Sequence, residues 1–109
     1  MKAEIKKYII DNLEIDDDDI INDLLASYSE SLTENVTKLS AALAAGESLA
    51  AGGIAHAIKG ASANIGAQPI FEVAKQAELT LKAGNLQEGR DLFVKLSALV
   101  DVVQKEIIG

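Results

Sequence analysis

Residues 20–46 read IINDLLASYSESLTENVTKLSAALAAG, and within them Ile21, Leu25, Tyr28, Leu32, Val36, Leu39 and Leu43 recur at steps of three and four. That spacing lays one apolar stripe along a single helix of about seven turns. The acidic run Asp16 to Asp19 just upstream suits its start, where carboxylates meet free amides and the positive end of the helix dipole. Gly46 suits its end.

Outward from this helix the pattern repeats. Met1 to Leu13 predicts a short first helix with Ile5, Ile9 and Ile10 on one side. Downstream, a third helix should run from about Leu49 to Ala67, with Gly66 near its end and Pro69 opening the next. Val73, Ala74, Ala77 and Leu81 give that next helix its stripe before Gly84 and Asn85 stop it. A last helix carries Leu86, Phe93, Leu96, Val100, Val103 and Ile107 on one face. The chain has one proline, few alternating β-branched runs and abundant Ala, Leu, Glu and Lys, so helix is its default state. Short loops between long amphipathic helices favour antiparallel neighbours. The expected fold is all-α: an antiparallel up-down-up-down four-helix bundle with a short additional N-terminal helix, formed by residues 1–109 as a single domain. Such a bundle says nothing by itself about function.

Composition narrows the classes. With 49% hydrophobic residues in 109, the chain can bury a real core. It has no cysteine, which excludes disulfides and thiolate zinc sites. Its apolar runs stay far below the roughly 20 residues of a membrane span. Met1 to Asp11 is charged and lacks the apolar core of a signal peptide, so a cytoplasmic protein without membrane partners is expected. Ten basic against 17 acidic residues give a formal charge of −7, which argues against nucleic acid as a partner. An acidic surface is also a common route to solubility.

The third helix is unusual. Between Leu49 and Ala67 it has one charged residue, Lys59, and one histidine, His56; the rest is Ala, Gly, Ile, Leu, Ser or Asn. At 100° per residue, Ile54, Ile58, Ala61 and Ile65 cluster as the expected core stripe, and His56 lies about 190° from its centre. The histidine should therefore face outward, unlike the usual structural histidine. Lys59 and Gly60 are its neighbours one turn on, and Ala63 and Ala67 continue the same nearly bare side. A mid-helix glycine costs about 1 kcal/mol relative to alanine. Gly52 and Gly53 read as fraying or bending near the helix start. Gly60 lets another helix approach, or lets another protein's active site reach the imidazole. An imidazole with a free pKa of about 6.5 keeps one ring nitrogen unprotonated at neutral pH and can accept a phosphoryl group. Lys59 is the one cation of its helix that could offset the added charge; plain solubility is the simpler role.

The string from His56 through Ile58, Lys59, Gly60, Ser62 and Ile65 to Gly66 resembles the signature of histidine phosphotransfer (HPt) domains, His-x-Leu-Lys-Gly-x-Ser-x-x-Leu-Gly, with isoleucine at the two leucine positions. The resemblance extends over most of the chain and implies a four-helix bundle in which a solvent-exposed histidine, here His56, shuttles a phosphoryl group between receiver-domain aspartates. The distal ring nitrogen would be the attacking atom. The partners implied are receiver domains of response regulators and of hybrid sensor histidine kinases, which bring Mg²⁺ and the acidic cluster; the HPt domain itself needs no cofactor or metal and acts as a phosphocarrier rather than an enzyme. Lys59 would compensate charge and Gly60 would give access, with Ser62 and Ala63 in the supporting signature. The family often places a polar residue on the following helix to hold the proximal nitrogen. Glu78 matches best, in place of the usual glutamine, and Lys82 and Lys75, one turn to either side, would add positive charge. A solvated helix flank is the plain alternative for all three. Ala77 departs from the family's leucine.

The rival functions are an adaptor bundle that binds signalling proteins without being phosphorylated and, more distantly, an enzyme. A lone histidine without a neighbouring Ser, Cys or carboxylate cluster makes no complete catalytic set. Met1 and the early helix suggest a freestanding protein, with a piece of a larger kinase as the alternative. A monomer is favoured, though Met1 to Leu13 suits a cap on the bundle and a dimer contact alike.

Overall fold

The computed structural model describes residues 1–108, and among these it is all helix, with no strand. The elements are α1 (Lys2–Leu13), α2 (Asp18–Ala44), α3 (Ser48–Ile65), α4 (Gln68–Lys82) and α5 (Leu86–Ile108). Asp17 caps α2: its backbone is extended, and its side chain accepts the amides of Asp19 at 2.9 Å and Ile20 at 3.2 Å. α2 then runs for 27 residues, about 40 Å, which sets the 43 Å long axis of the molecule. Pro69 opens α4, where its missing N–H has no partner to lose.

Four helices form a ring of contacts in which α2 packs on α3 and α5, and α4 packs on α3 and α5. The α3–α4 interface is the most extensive, because its facing positions are small: Ala51, Gly52 and Ala55 on one side, Ala74 and Ala77 on the other, all buried. Gly52 is no site of fraying. A Cβ there would lie 2.9 Å from Cγ and 3.3 Å from the backbone nitrogen of Lys82, so its missing side chain brings the end of α4 against α3. α1 lies across α3 and α5 and contributes Ile5 and Ile9, both fully buried; Ile10 turns outward.

Two residues, Gly66 and Ala67, connect α3 to α4. Gly66 adopts a left-handed conformation (φ 77°, ψ 25°) that returns its own and the next amide to the Ala63 and Ser62 carbonyls. Ala67, expected on the exposed histidine side of α3, is fully buried. The helix has ended by then, so the 100° step no longer places it.

Candidate functional site

The core face of α3 is Ala51, Ala55, Ile58, Ser62 and Ile65, whereas Ile54 and Ala61, expected at its centre, are only half-buried. Small residues, not isoleucines, face the middle of the bundle, and the helix is rolled about 50° from the expected orientation. The roll leaves His56 on the outside but turns it toward α4. Its side chain is 61% exposed.

Glu78 of α4 meets it there. The carboxylate is buried, with 8% of the side chain accessible, and has three partners. Oε2 lies 2.6 Å from His56 Nδ1 and 2.8 Å from Lys82 Nζ, and Oε1 lies 2.6 Å from Lys59 Nζ. The ammonium of Lys59, then that of Lys82, and then His56 outweigh burial and hold the Glu78 pKa down to about 2. An ionised carboxylate only accepts, so Nδ1 of His56 is the donor and carries the ring proton. In the neutral ring the lone pair is therefore on Nε2, which has no hydrogen-bond partner among the described residues. Lys59, Lys82 and Glu78 sum to one positive charge beside the imidazole, in a chain whose formal charge is −7.

Around this cluster the surface is open. A Cβ at Gly60 would meet nothing within 4 Å, so no helix packs against it. Ala63, exposed, continues the bare face to a cleft shared with Tyr8, Gly66 and Phe71. Lys75 is exposed on α4 and makes no ion pair among the described residues. Ser62 points the other way, into the core: its fully buried hydroxyl pairs with Tyr28 Oη at 2.7 Å, and burial pushes the Tyr28 phenol up to about 12 despite that bond. Tyr28 was legible only as one more apolar position of α2. The polar residues in both stripes were readable by spacing, since Ser62 sits four after Ile58 and Glu78 four after Ala74.

No group of three His, Cys, Asp or Glu side chains among the described residues could hold a metal ion, and no helix is long and apolar enough to cross a membrane. No curated protein and no solved structure gives a significant match to the chain. The sequence model of the Hpt domain family matches residues 23–106, which takes in His56, Lys59, Gly60 and Glu78 and leaves α1 outside. Domains of this family are phosphocarrier modules, not catalysts, and meet receiver domains in two-component phosphorelays. With most of its length matched, this chain belongs to the Hpt domain family.

Proposed function

We propose that the protein carries a phosphoryl group on Nε2 of His56, taking it from an aspartyl phosphate of one receiver domain and passing it to the aspartate of another. The observation that carries this reading is an exposed imidazole whose Nδ1 proton is fixed by a buried carboxylate, so that the free lone pair sits on the accessible nitrogen. Lys59, one turn from the ring on α3, and Lys82, one turn from Glu78 on α4, offset the charge of the group it receives. Gly60 leaves room for the partner's active site, and Ala63 extends the bare surface. Ser62 supports the site from inside through Tyr28, and Lys75 adds positive charge farther along α4. Transfer then depends mainly on positioning and charge compensation, with the metal and acidic cluster supplied by the receiver.

The partners in this reading are receivers of response regulators and hybrid sensor histidine kinases, and neither nucleic acid nor membrane. Residues 1–109 act as one domain, a cytoplasmic monomer without a cofactor of its own. Its four long helices run up-down-up-down. Supporting that course, the start of α3 meets the end of α4 through Ser48 and the Leu81 carbonyl, and the start of α5 meets the end of α2 through Arg90 and the Leu43 carbonyl.

The test is phosphoryl transfer from phosphorylated receiver domains to the wild type and to His56→Gln, followed as acid-labile, alkali-stable label. Label on the wild type alone supports the reading. No label from a panel of receivers refutes it and leaves an adaptor that binds without being phosphorylated.

A further inference from the structure

The proposed phosphorylation leaves one proton unaccounted for. When Nε2 attacks the acyl phosphate, the Nε2–P bond forms, the P–O bond breaks and the aspartate leaves as a carboxylate with the electron pair. The ring still has its Nδ1 proton and is now an imidazolium. If that proton were lost to solvent, onward transfer would have to expel an imidazolate, a very poor leaving group. If it is kept, breaking the P–Nε2 bond returns the electron pair to Nε2 and regenerates the neutral Nδ1–H imidazole with no proton moved at all.

We propose that Glu78 keeps this proton on the phosphorylated ring, holding phosphohistidine as an imidazolium–carboxylate pair and so as a ready leaving group. This rests on the phosphocarrier reading above but goes beyond positioning: a neutral amide at residue 78 would orient the same N–H without stabilising the cation. The geometry supports the distinction. Glu78 Oε2 is 2.6 Å from Nδ1, and its carboxylate is shielded from water although the ring edge is exposed, so the charge that faces the N–H is held in place and only partly screened. The two lysines strengthen the effect. Their ammoniums neutralise Glu78 in the free protein, but a phosphoryl dianion on Nε2 competes for them. As Lys59 and Lys82 turn toward it, the ring N–H becomes the remaining partner of a buried carboxylate.

The other elements on α3 bring no rival charge to the ring. α2 presents Ser27, Tyr28 and Ser31 to the groove it shares with Ala61 and Ile65. The charged residues of α1, Glu4, Lys7 and Asp11, line the cleft at Ala63, two turns away from His56. Glu78 and Lys82 of α4 and Lys59 of α3 are the charges bonded at the site.

The experiment phosphorylates the full chain with phosphoramidate, a small donor that needs no protein partner, and titrates the ring nitrogens by NMR in the wild type, in Glu78→Gln and in a phosphohistidine peptide. The phosphorylated wild type is expected to keep Nδ1–H to a pH about one unit or more above both references. A receiver should drain the phosphoryl group from Glu78→Gln about tenfold more slowly at pH values between the two ring pKa values. Loss of the proton at the same pH in the wild type and the peptide overturns the proposal, and this comparison needs no variant to fold. The titration is independent of the relay. A retained proton with no exchange to any receiver supports this assignment while refuting the relay, and exchange with an unshifted titration does the reverse.

Discussion

Replacing Gly66 by alanine should weaken the fold in two separable ways. Gly66 sits at φ 77°, where a residue with a Cβ is disfavoured by about 1–2 kcal/mol. The new methyl would also fall 2.3 Å from Cγ and 2.5 Å from Cβ of Tyr8. A rotamer change can move the Cγ, but the Cβ is fixed to the backbone, so α1 itself must shift. Overpacking of this kind costs about 1–3 kcal/mol. Full release of α1 sets a ceiling, since it would expose Ile5 and Ile9 at about 1.5–3 kcal/mol each. The expected loss is therefore about 2–5 kcal/mol, large against the 5–15 kcal/mol that typically holds a domain together. Urea unfolding of wild type, Gly66→Ala, Tyr8→Gly, which removes both the Cβ and the Cγ, and the double variant measures it. With Tyr8 truncated, the alanine at 66 should cost only the backbone share of about 1–2 kcal/mol. An equal cost in both backgrounds would refute the packing of α1 on Gly66, and a cost near zero would refute the left-handed turn as well.

Two further outcomes follow from the site. Gly60→Ala should stabilise the protein by about 0.5–1 kcal/mol, because the methyl meets open space on a helix, yet slow phosphoryl transfer from a receiver. A raised melting temperature with an unchanged transfer rate would remove the access role. Acid stability should report the Glu78 cluster. Its folded pKa, about 2, lies below the ordinary 4.5, so its contribution is complete above that ordinary value and is lost as pH falls from about 4.5 toward 2. Glu78→Gln should flatten this limb in denaturation curves taken across the acid range. Part of it should persist, because the Lys2 amide and the N-terminal amine also hold Glu106 below its usual value. An acid limb unchanged by the substitution would mean that the ion pairs on Glu78 do not form in solution.

Apolar periodicity carried the helices and missed the roll of α3. Ile21, Leu25, Tyr28, Leu32, Leu39 and Leu43 all lie buried where the spacing of α2 put them, and Asp17 caps that helix as the acidic run implied. In α3 the same logic gave weight to size. Isoleucines drew the expected stripe through Ile54 and Ala61, whereas the bundle needed small residues where α4 comes close, and so buried Ala51, Gly52 and Ala55. In α5 the stripe omitted Leu92, which is buried, while Leu86, Phe93 and Ile107 sit at its margins. Which flank of an amphipathic helix is pressed hardest depends on how closely its neighbours approach. A single helix wheel does not contain that information.

The same limit governs the site, and it changes what the signature residues do. Read along α3 alone, Lys59 is the cation beside an outward-facing histidine, free to meet an incoming phosphoryl group. Across the α3–α4 interface it is already paired at 2.6 Å with a carboxylate, as is Lys82 at 2.8 Å. The charge offered to a phosphoryl group is therefore a net +1, where a glutamine at residue 78 would leave +2. In the proposed relay a carboxylate here weakens the site's attraction for the phosphoryl dianion while stabilising the ring cation that later releases it. The two effects oppose one another: the carboxylate's charge repels the phosphoryl dianion, whereas its pairing with the ring cation, which exists only while the ring is phosphorylated, favours the phosphorylated form and keeps it in the state that can release the group. In the proposed relay Glu78, which the histidine motif does not contain, is thus the residue whose charge sets the balance between holding the phosphoryl group on His56 and keeping the ring ready to release it.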